Sequence, residues 1–169
     1  MPLTPDDLFD FLDAQGIAVT TVDHPPLYTV EDAKMLRGAL DGAHTKNLFL
    51  KDKKGQLFLV VIEADASVDL KAIPQIIGAS GRVSFGSPDL LLELLGVVPG
   101  AVSPFGAIND TGRRVTIVLD EGLQHSEKLN HHPLVNTKTT TIRRDDLLRF
   151  LRATGHEPKI LPVGSAAVP

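Results

Sequence analysis

The sequence predicts a mixed α/β domain with a largely antiparallel, barrel-like sheet surrounded by helices. Three observations carry that expectation. Strand-like runs are scattered between helical ones with no regular βαβ repeat. The clearest pair of runs is a hairpin, which is antiparallel by construction. Helix starts and stops are punctuated by cap-then-proline and glycine signals spread along the whole chain.

The first helix opens at Thr4, a capping residue, with Pro5 at its first position and Asp6 and Asp7 at the positive end of the dipole. Leu8, Phe9, Phe11 and Leu12 give it an apolar face, and Gly16 is placed to end it. Residues 17–22 are rich in β-branched side chains and read as a strand, closed by His24-Pro25-Pro26. A short helix is expected from Thr29 to about Arg37, where Asp32 stands at capping-box spacing.

Residues 46–51 and 56–63 flank the polar turn Asp52-Lys-Lys-Gly55 as the two arms of a hairpin. Residues 69–77 read as a helix despite Pro74, with Gly78 as its stop, and residues 81–85 as a short strand. Ser87-Pro88-Asp89 repeats the cap-then-proline signature and opens a helix through Leu95 that Gly96 terminates. After a loop over 97–106 and the turn Asn109-Asp-Thr-Gly112, residues 114–120 alternate like a strand. Residues 121–128 suggest a weak helix, 129–132 and 137–142 strands around Pro133, 145–154 a helix stopped by Gly155, and 158–162 a last strand. One domain is expected over residues 1–162, with 163–169 as a frayed tail.

Composition bounds the chemistry. The chain has 169 residues, 43% hydrophobic and 22% charged, enough to bury a core without staples. It has no cysteine, which removes disulfides, thiolate zinc sites and cysteine nucleophiles together. A net charge of -4 and a pI near 5.8 argue against a general duplex binder, though not against a protein that handles the end of a nucleic acid. The N-terminal residues lack the basic and apolar regions of a signal peptide, and no run approaches membrane-spanning length, so the cytoplasm is the expected location.

Three places could carry chemistry. The loop Gly100-Ala-Val-Ser-Pro-Phe-Gly106 could be a plain connection. Its glycines would equally let backbone approach a ligand and its proline stiffen a wall, so that a backbone amide could face an ester carbonyl. Lys46, in His44-Thr-Lys-Asn47, is either an exposed strand lysine or a point charge beside a pocket, with Asn47 on the opposite side of the strand. His131 and His132 also alternate, so at most one faces a pocket, and a structural cap is an equal reading. Adjacent histidines are poor joint metal ligands, and no third ligand stands at a persuasive spacing, so neither a metal nor a cofactor is expected. GxSxG, Walker and GxGxxG motifs are missing. Ser103, wedged before proline, reads as a wall rather than a nucleophile.

Four blocks, in order, resemble one family. They are His24-Pro-Pro-Leu-Tyr-Thr-Val-Glu-Asp-Ala33, His44-Thr-Lys-Asn-Leu-Phe-Leu-Lys-Asp-Lys-Lys-Gly55, Pro99 to Gly106 with Asn109-Asp110, and His132-Pro-Leu-Val-Asn-Thr-Lys-Thr-Thr-Thr141. Together they resemble the YbaK/prolyl-tRNA synthetase editing-domain superfamily, most closely its free-standing branch that deacylates alanyl-tRNA(Pro). The resemblance implies a barrel-like sheet ringed by helices and a cofactor-free, metal-independent ester hydrolase. It places the family's GxxxP loop on Gly100 to Pro104, its lysine on Lys46 and its pocket histidine on His132. Asn47, Ala101, Val102, Ser103, Pro104 and Tyr28 then become substrate-binding positions. The implied partner is the acceptor end of tRNA(Pro) carrying a small amino acid, with prolyl-tRNA synthetase as a further partner. Close relatives often carry threonine where this chain has Ser103, which leaves open which small amino acid is preferred. Removal of cysteine or serine from tRNA, and non-catalytic binding of aminoacyl-tRNA or another nucleic acid, are the alternatives.

Overall fold

The protein is described by a computed structural model covering residues 2–26 and 40–164. The expected helix from Thr29 and the substrate position Tyr28 lie outside those residues.

Helix α1 (Pro5–Ala14) starts with a full capping box. The Asp7 amide donates to Thr4 Oγ1, and the Asp7 carboxylate accepts the Thr4 amide at 2.8 Å. Each such bond satisfies one of the amides that a helix start leaves unpaired. Strand β1 (Thr20–Asp23) begins three residues later than the β-branched run suggested, because Ile17 turns in to the core instead of pairing. Strands β2 (Ala43–Lys51) and β3 (Leu57–Glu63) form the expected hairpin, in register from Thr45 opposite Glu63 to Lys51 opposite Leu57. Asp52 is buried under its turn and accepts the amides of Lys54, Gln56 and Ser80. Those donors hold its carboxyl below the usual carboxylate range, against the opposing effect of burial.

Helix α2 is shorter than the sequence suggested, Ile73–Ile77, since Pro74 can stand only in a first turn and so fixes where the helix begins. Strand β4 (Ser84–Phe85) pairs with β2. Helix α3 (Pro88–Leu95) is capped by Ser87 and ended by Gly96 at φ 66°. A 3-10 helix at Pro104–Asn109 occupies the end of the expected loop, and strand β5 (Val115–Asp120) follows. The weak helix resolves into a 3-10 turn, Glu121–His125, before β6 (Lys128–His131). The chain continues through β7 (Lys138–Arg143), α4 (Arg144–Ala153) and β8 (Lys159–Leu161).

The eight strands of the described residues form a mixed sheet in the order β1-β7-β6-β2-β3-β5-β8, with β4 attached to β2. The expectation of a largely antiparallel sheet is corrected here. Strands β2–β6, β3–β5 and β5–β8 pair in parallel, and no pairing joins β1 to β8 among the described residues. The reason is connectivity: α3 and the 3-10 helix carry the chain back across the sheet between β4 and β5, so β5 re-enters beside β3 in the same direction.

Strand β3 is buried on both faces. Phe49, Leu59, Val61 and Ile117 meet α1, α3 and α4 through Leu8, Leu12, Leu95, Phe150 and Leu151. Leu50, Phe58, Val60 and Ile62 meet Ile73 and Ile77 of α2 on the other face. Phe105 anchors the 3-10 helix to the first layer, its ring edge-on to Phe150 at 5.4 Å, and Phe150 is edge-on to Phe11. Val163 and Gly164 do not belong to a frayed tail. Both are buried and both donate their amides to Asp120 Oδ1 at 3.0 Å.

Candidate active site

The glycine loop is held at two points. Asn47 Nδ2 donates to the Val102 carbonyl at 3.0 Å, tying the loop to β2. Ser103 Oγ donates to the His132 carbonyl at 2.6 Å, tying it to the end of β6. The same hydroxyl accepts the Phe105 amide and so caps the 3-10 helix. Ser103 is therefore fully buried and occupied with structure, while Ala101 and Pro104 are buried beside it. Val102 is half-buried.

Gly100 alone projects to solvent from this rigid base. Its φ is 91°, a left-handed conformation that disfavours any side chain, yet a Cβ there would meet only Asn136 Nδ2 at 3.9 Å. The space in front of it is open. The Ala101 amide is used in a turn to the Val98 carbonyl, whereas the amides of Gly100 and Val102 have no acceptor among the described residues.

The two histidines take opposite roles, as the alternation required. His131 is buried, with Nδ1 2.8 Å from Thr45 Oγ1, whose own proton goes to the Asn130 carbonyl. Nδ1 must therefore carry the ring proton, which leaves Nε2 a buried acceptor without a partner. Burial, with help from His132 and His44 nearby, pushes the His131 pKa down to about 3. His132 is half-buried, and its Nδ1 donates to the Lys138 carbonyl at 2.9 Å. Burial lowers its pKa too, the carbonyl bond opposes this, and His24 adds to the lowering. A neutral His132 then offers Nε2 as an acceptor.

Lys46 is placed differently from the rest. Its partner in β3 is Ile62, on the α2 face, and its ammonium donates to the Ala66 carbonyl at 2.6 Å. Asn47 points to the opposite face and reaches the loop. The structure thus gathers Asn47, the 100–104 loop and His132 into one unit and sets Lys46 across the strand from it. One donated bond leaves the ammonium two further protons.

Two contributors were not singled out by sequence reasoning. His24 lies near His132, ring centroids 6.1 Å apart and tilted, with Nδ1 donating to the Pro25 carbonyl and Nε2 meeting Thr139 Oγ1 at 2.8 Å. Asn136 faces Gly100. Both stand in the quoted blocks, but only the pairing of β1 with β7 brings His24 alongside His132. Among the described residues no three His, Asp or Glu side chains gather as a metal-binding group, and no helix is long and apolar enough to cross a membrane.

The chain is similar to known proteins over most of its length. Residues 24–150 match the model of the aminoacyl-tRNA editing domain. The prolyl-tRNA synthetase associated domain-containing protein 1 of Danio rerio is 41% identical over 157 residues, covering 92% of this chain and 85% of that protein. The prolyl-tRNA editing protein ProX of Acetoanaerobium sticklandii is 36% identical, covering 89% of this chain and 92% of that one. The crystal structure of hypothetical protein APE2540 shares the fold, with a TM-score of 0.70 at 20% identity over 91% of this chain and 97% of that chain. The site described above lies within the matched span, and the chain belongs to the aminoacyl-tRNA editing domain family.

Proposed function

We propose that this protein is a trans-editing hydrolase that deacylates mischarged tRNA(Pro), with alanyl-tRNA(Pro) as its favoured substrate. The observation that carries the reading is Gly100: an open, positive-φ backbone position on a loop pinned from both sides by Asn47 and Ser103. A backbone held this way can present an amide to a carbonyl oxygen without moving during the reaction. Membership of the editing-domain family and the likeness to a prolyl-tRNA editing protein support the same reading.

In this mechanism water adds to the ester carbonyl and the developing oxyanion takes a hydrogen bond from the loop backbone at Gly100. The tetrahedral carbon then expels the ribose oxygen, which takes one of the water's protons and leaves as a hydroxyl, while the other proton passes to solvent and the amino acid departs as a carboxylate. No enzyme nucleophile and no metal are needed. His132 Nε2 accepts a hydrogen bond within the pocket, and the Lys46 ammonium attracts the phosphate or ribose of the terminal adenosine. Val102, backed by the buried Ala101 and Pro104, walls the small acyl site.

The selectivity is by size. A synthetase pocket built for proline rejects alanine weakly, because a few lost apolar contacts are worth about 1–3 kcal/mol. A second, smaller site admits alanine and refuses proline. The partner is the acceptor end of tRNA(Pro), with prolyl-tRNA synthetase as the source of the mischarged substrate, and the place of action is the cytoplasm. The test is release of alanine from alanyl-tRNA(Pro) with prolyl-tRNA(Pro) as control. Lys46→Ala is expected to abolish it. Faster release of cysteine or serine than alanine overturns the substrate assignment, and an inactive wild type overturns the hydrolase.

A further inference from the structure

A cationic groove lies on the same side of the sheet as Lys46. Its walls are Leu70, Lys71, Pro74, Arg82 and Val83, around a volume of about 590 Å³. Lys53 lies beside the segment that leads into Arg82. Its amide donates to the Ser80 carbonyl, and its side chain lies where a Cβ on Gly81 would come within 3.3 Å of it. Two positive side chains therefore line it from two segments, the approach to α2 and the stretch before β4, and Lys53 of the hairpin turn lies beside the second.

None of the three has an ion-pair partner among the described residues. By contrast, Arg114, Lys128, Lys138, Arg143, Arg144, Arg149 and Arg152 each have a carboxylate within ion-pair distance. Two acids of the adjoining segments turn oxygens to backbone amides. Asp52 is buried beneath the turn with its oxygens on backbone amides, and Asp69 Oδ1 accepts the Lys71 amide at 3.0 Å. In a chain of net charge -4, two cations without an ion-pair partner on one concave surface make a local site for an anion. The groove is also close to Lys46 along the chain. Ala66, whose carbonyl holds Lys46, is four residues before Leu70 in the chain. Four residues span at most about 14 Å.

We infer that the groove between Lys71 and Arg82 seats the sugar-phosphate backbone of the acceptor stem while the aminoacylated end occupies the site at Gly100. Charge complementarity selects the occupant: lysine and arginine donate to phosphate oxygens, and Leu70, exposed at 41%, packs with Pro74 and Val83 against sugar. Contacts of this kind set register without reading sequence. The inference rests on the trans-editing reading for its substrate, but the groove can be tested without catalysis.

The experiment compares the wild type with the Lys71→Ala/Arg82→Ala double variant, with Arg152→Ala as a control on a paired surface cation. Binding of uncharged tRNA(Pro) is followed by fluorescence anisotropy across a salt series, and deacylation is followed on alanyl-tRNA(Pro) and on 3′-alanyl-adenosine. The double variant is expected to raise Kd and KM for the tRNA about tenfold. It should also lower the magnitude of the salt slope by about 1.8, two phosphate contacts at about 0.9 each. Turnover of alanyl-adenosine should be unchanged and Arg152→Ala should match the wild type. Wild-type affinity and salt slope in the double variant overturn the inference, as does an equal loss on alanyl-adenosine or an equal loss in Arg152→Ala. A wild type that binds tRNA through this groove but releases no amino acid leaves the groove standing and removes the hydrolase.

Discussion

The Ser103 hydroxyl donates to the backbone carbonyl of His132 at 2.6 Å, joining the glycine loop to the end of the histidine strand. The two are 29 residues apart in sequence, yet this bond makes them one unit. It also changes the meaning of the serine, whose oxygen is spent on two backbone partners.

Ser103→Ala removes the donor to His132 and the cap on the 3-10 helix in a fully buried place. Leaving such groups unpaired costs about 1–3 kcal/mol. For a domain of this size that is a fall in Tm of roughly 3–10 °C. Calorimetry checks it. Ser103→Thr keeps the hydroxyl and should lose less, so a threonine variant as unstable as the alanine one would contradict the role given to the oxygen.

Gly100→Ala separates function from fold. The added methyl meets nothing but Asn136 Nδ2 at 3.9 Å, so the cost in stability is that of a left-handed alanine, about 1–2 kcal/mol. If the Gly100 backbone faces the ester, kcat/KM for alanyl-tRNA(Pro) should fall at least tenfold while the protein stays folded. Unimpaired deacylation in a variant shown to be folded would remove the loop from the mechanism.

Stability should rise with pH between about 4 and 6.5. The His131 pKa is about 3 in the folded protein against 6.5 unfolded, so the unfolded chain binds the proton first as pH falls. The contribution is complete above about 6.5 and is lost at up to about 1.4 kcal/mol per pH unit below it. His132, also lowered, acts in the same direction. Asp7 and Asp52, lowered from 3.8, act only at more acid pH. Urea midpoints at pH 7 and 4.5 measure the effect, and His131→Asn should flatten the dependence by about one proton. An unchanged slope in that variant would show that His131 does not carry it.

Asp110→Ala should be among the most damaging substitutions remote from the loop. The carboxylate is buried, accepts the amides of Arg114 and Val115, and meets His156 Nε2 at 2.9 Å. His156 Nδ1 in turn meets Thr154 Oγ1, so the start of β5 is bolted to the end of α4. Breaking a buried pair of this kind costs about 3–5 kcal/mol. Denaturant unfolding checks it, and a loss below 1 kcal/mol would mean that water replaces the carboxylate freely.

What the sequence determined by itself was local. The capping box of Thr4 and Asp7, the Ser87 cap, the glycine stops and the hairpin over Asp52 to Gly55 are each decided by groups within a few residues of one another, where the chain has few alternatives. The alternation that set Lys46 against Asn47 and His131 against His132 was legible for the same reason. Tertiary structure decided what distant partners decide. The parallel pairing of β5 with β3 made the sheet mixed, and Asp120 drew Val163 and Gly164 into the core. Pairing of β1 with β7 brought His24 to His132, and the carbonyl of Ala66 claimed the Lys46 ammonium. Composition does not record such contacts, because a hydrogen bond across 30 or 100 residues leaves no periodicity in the chain. It depends on which surfaces the core leaves facing each other once its apolar side chains are buried.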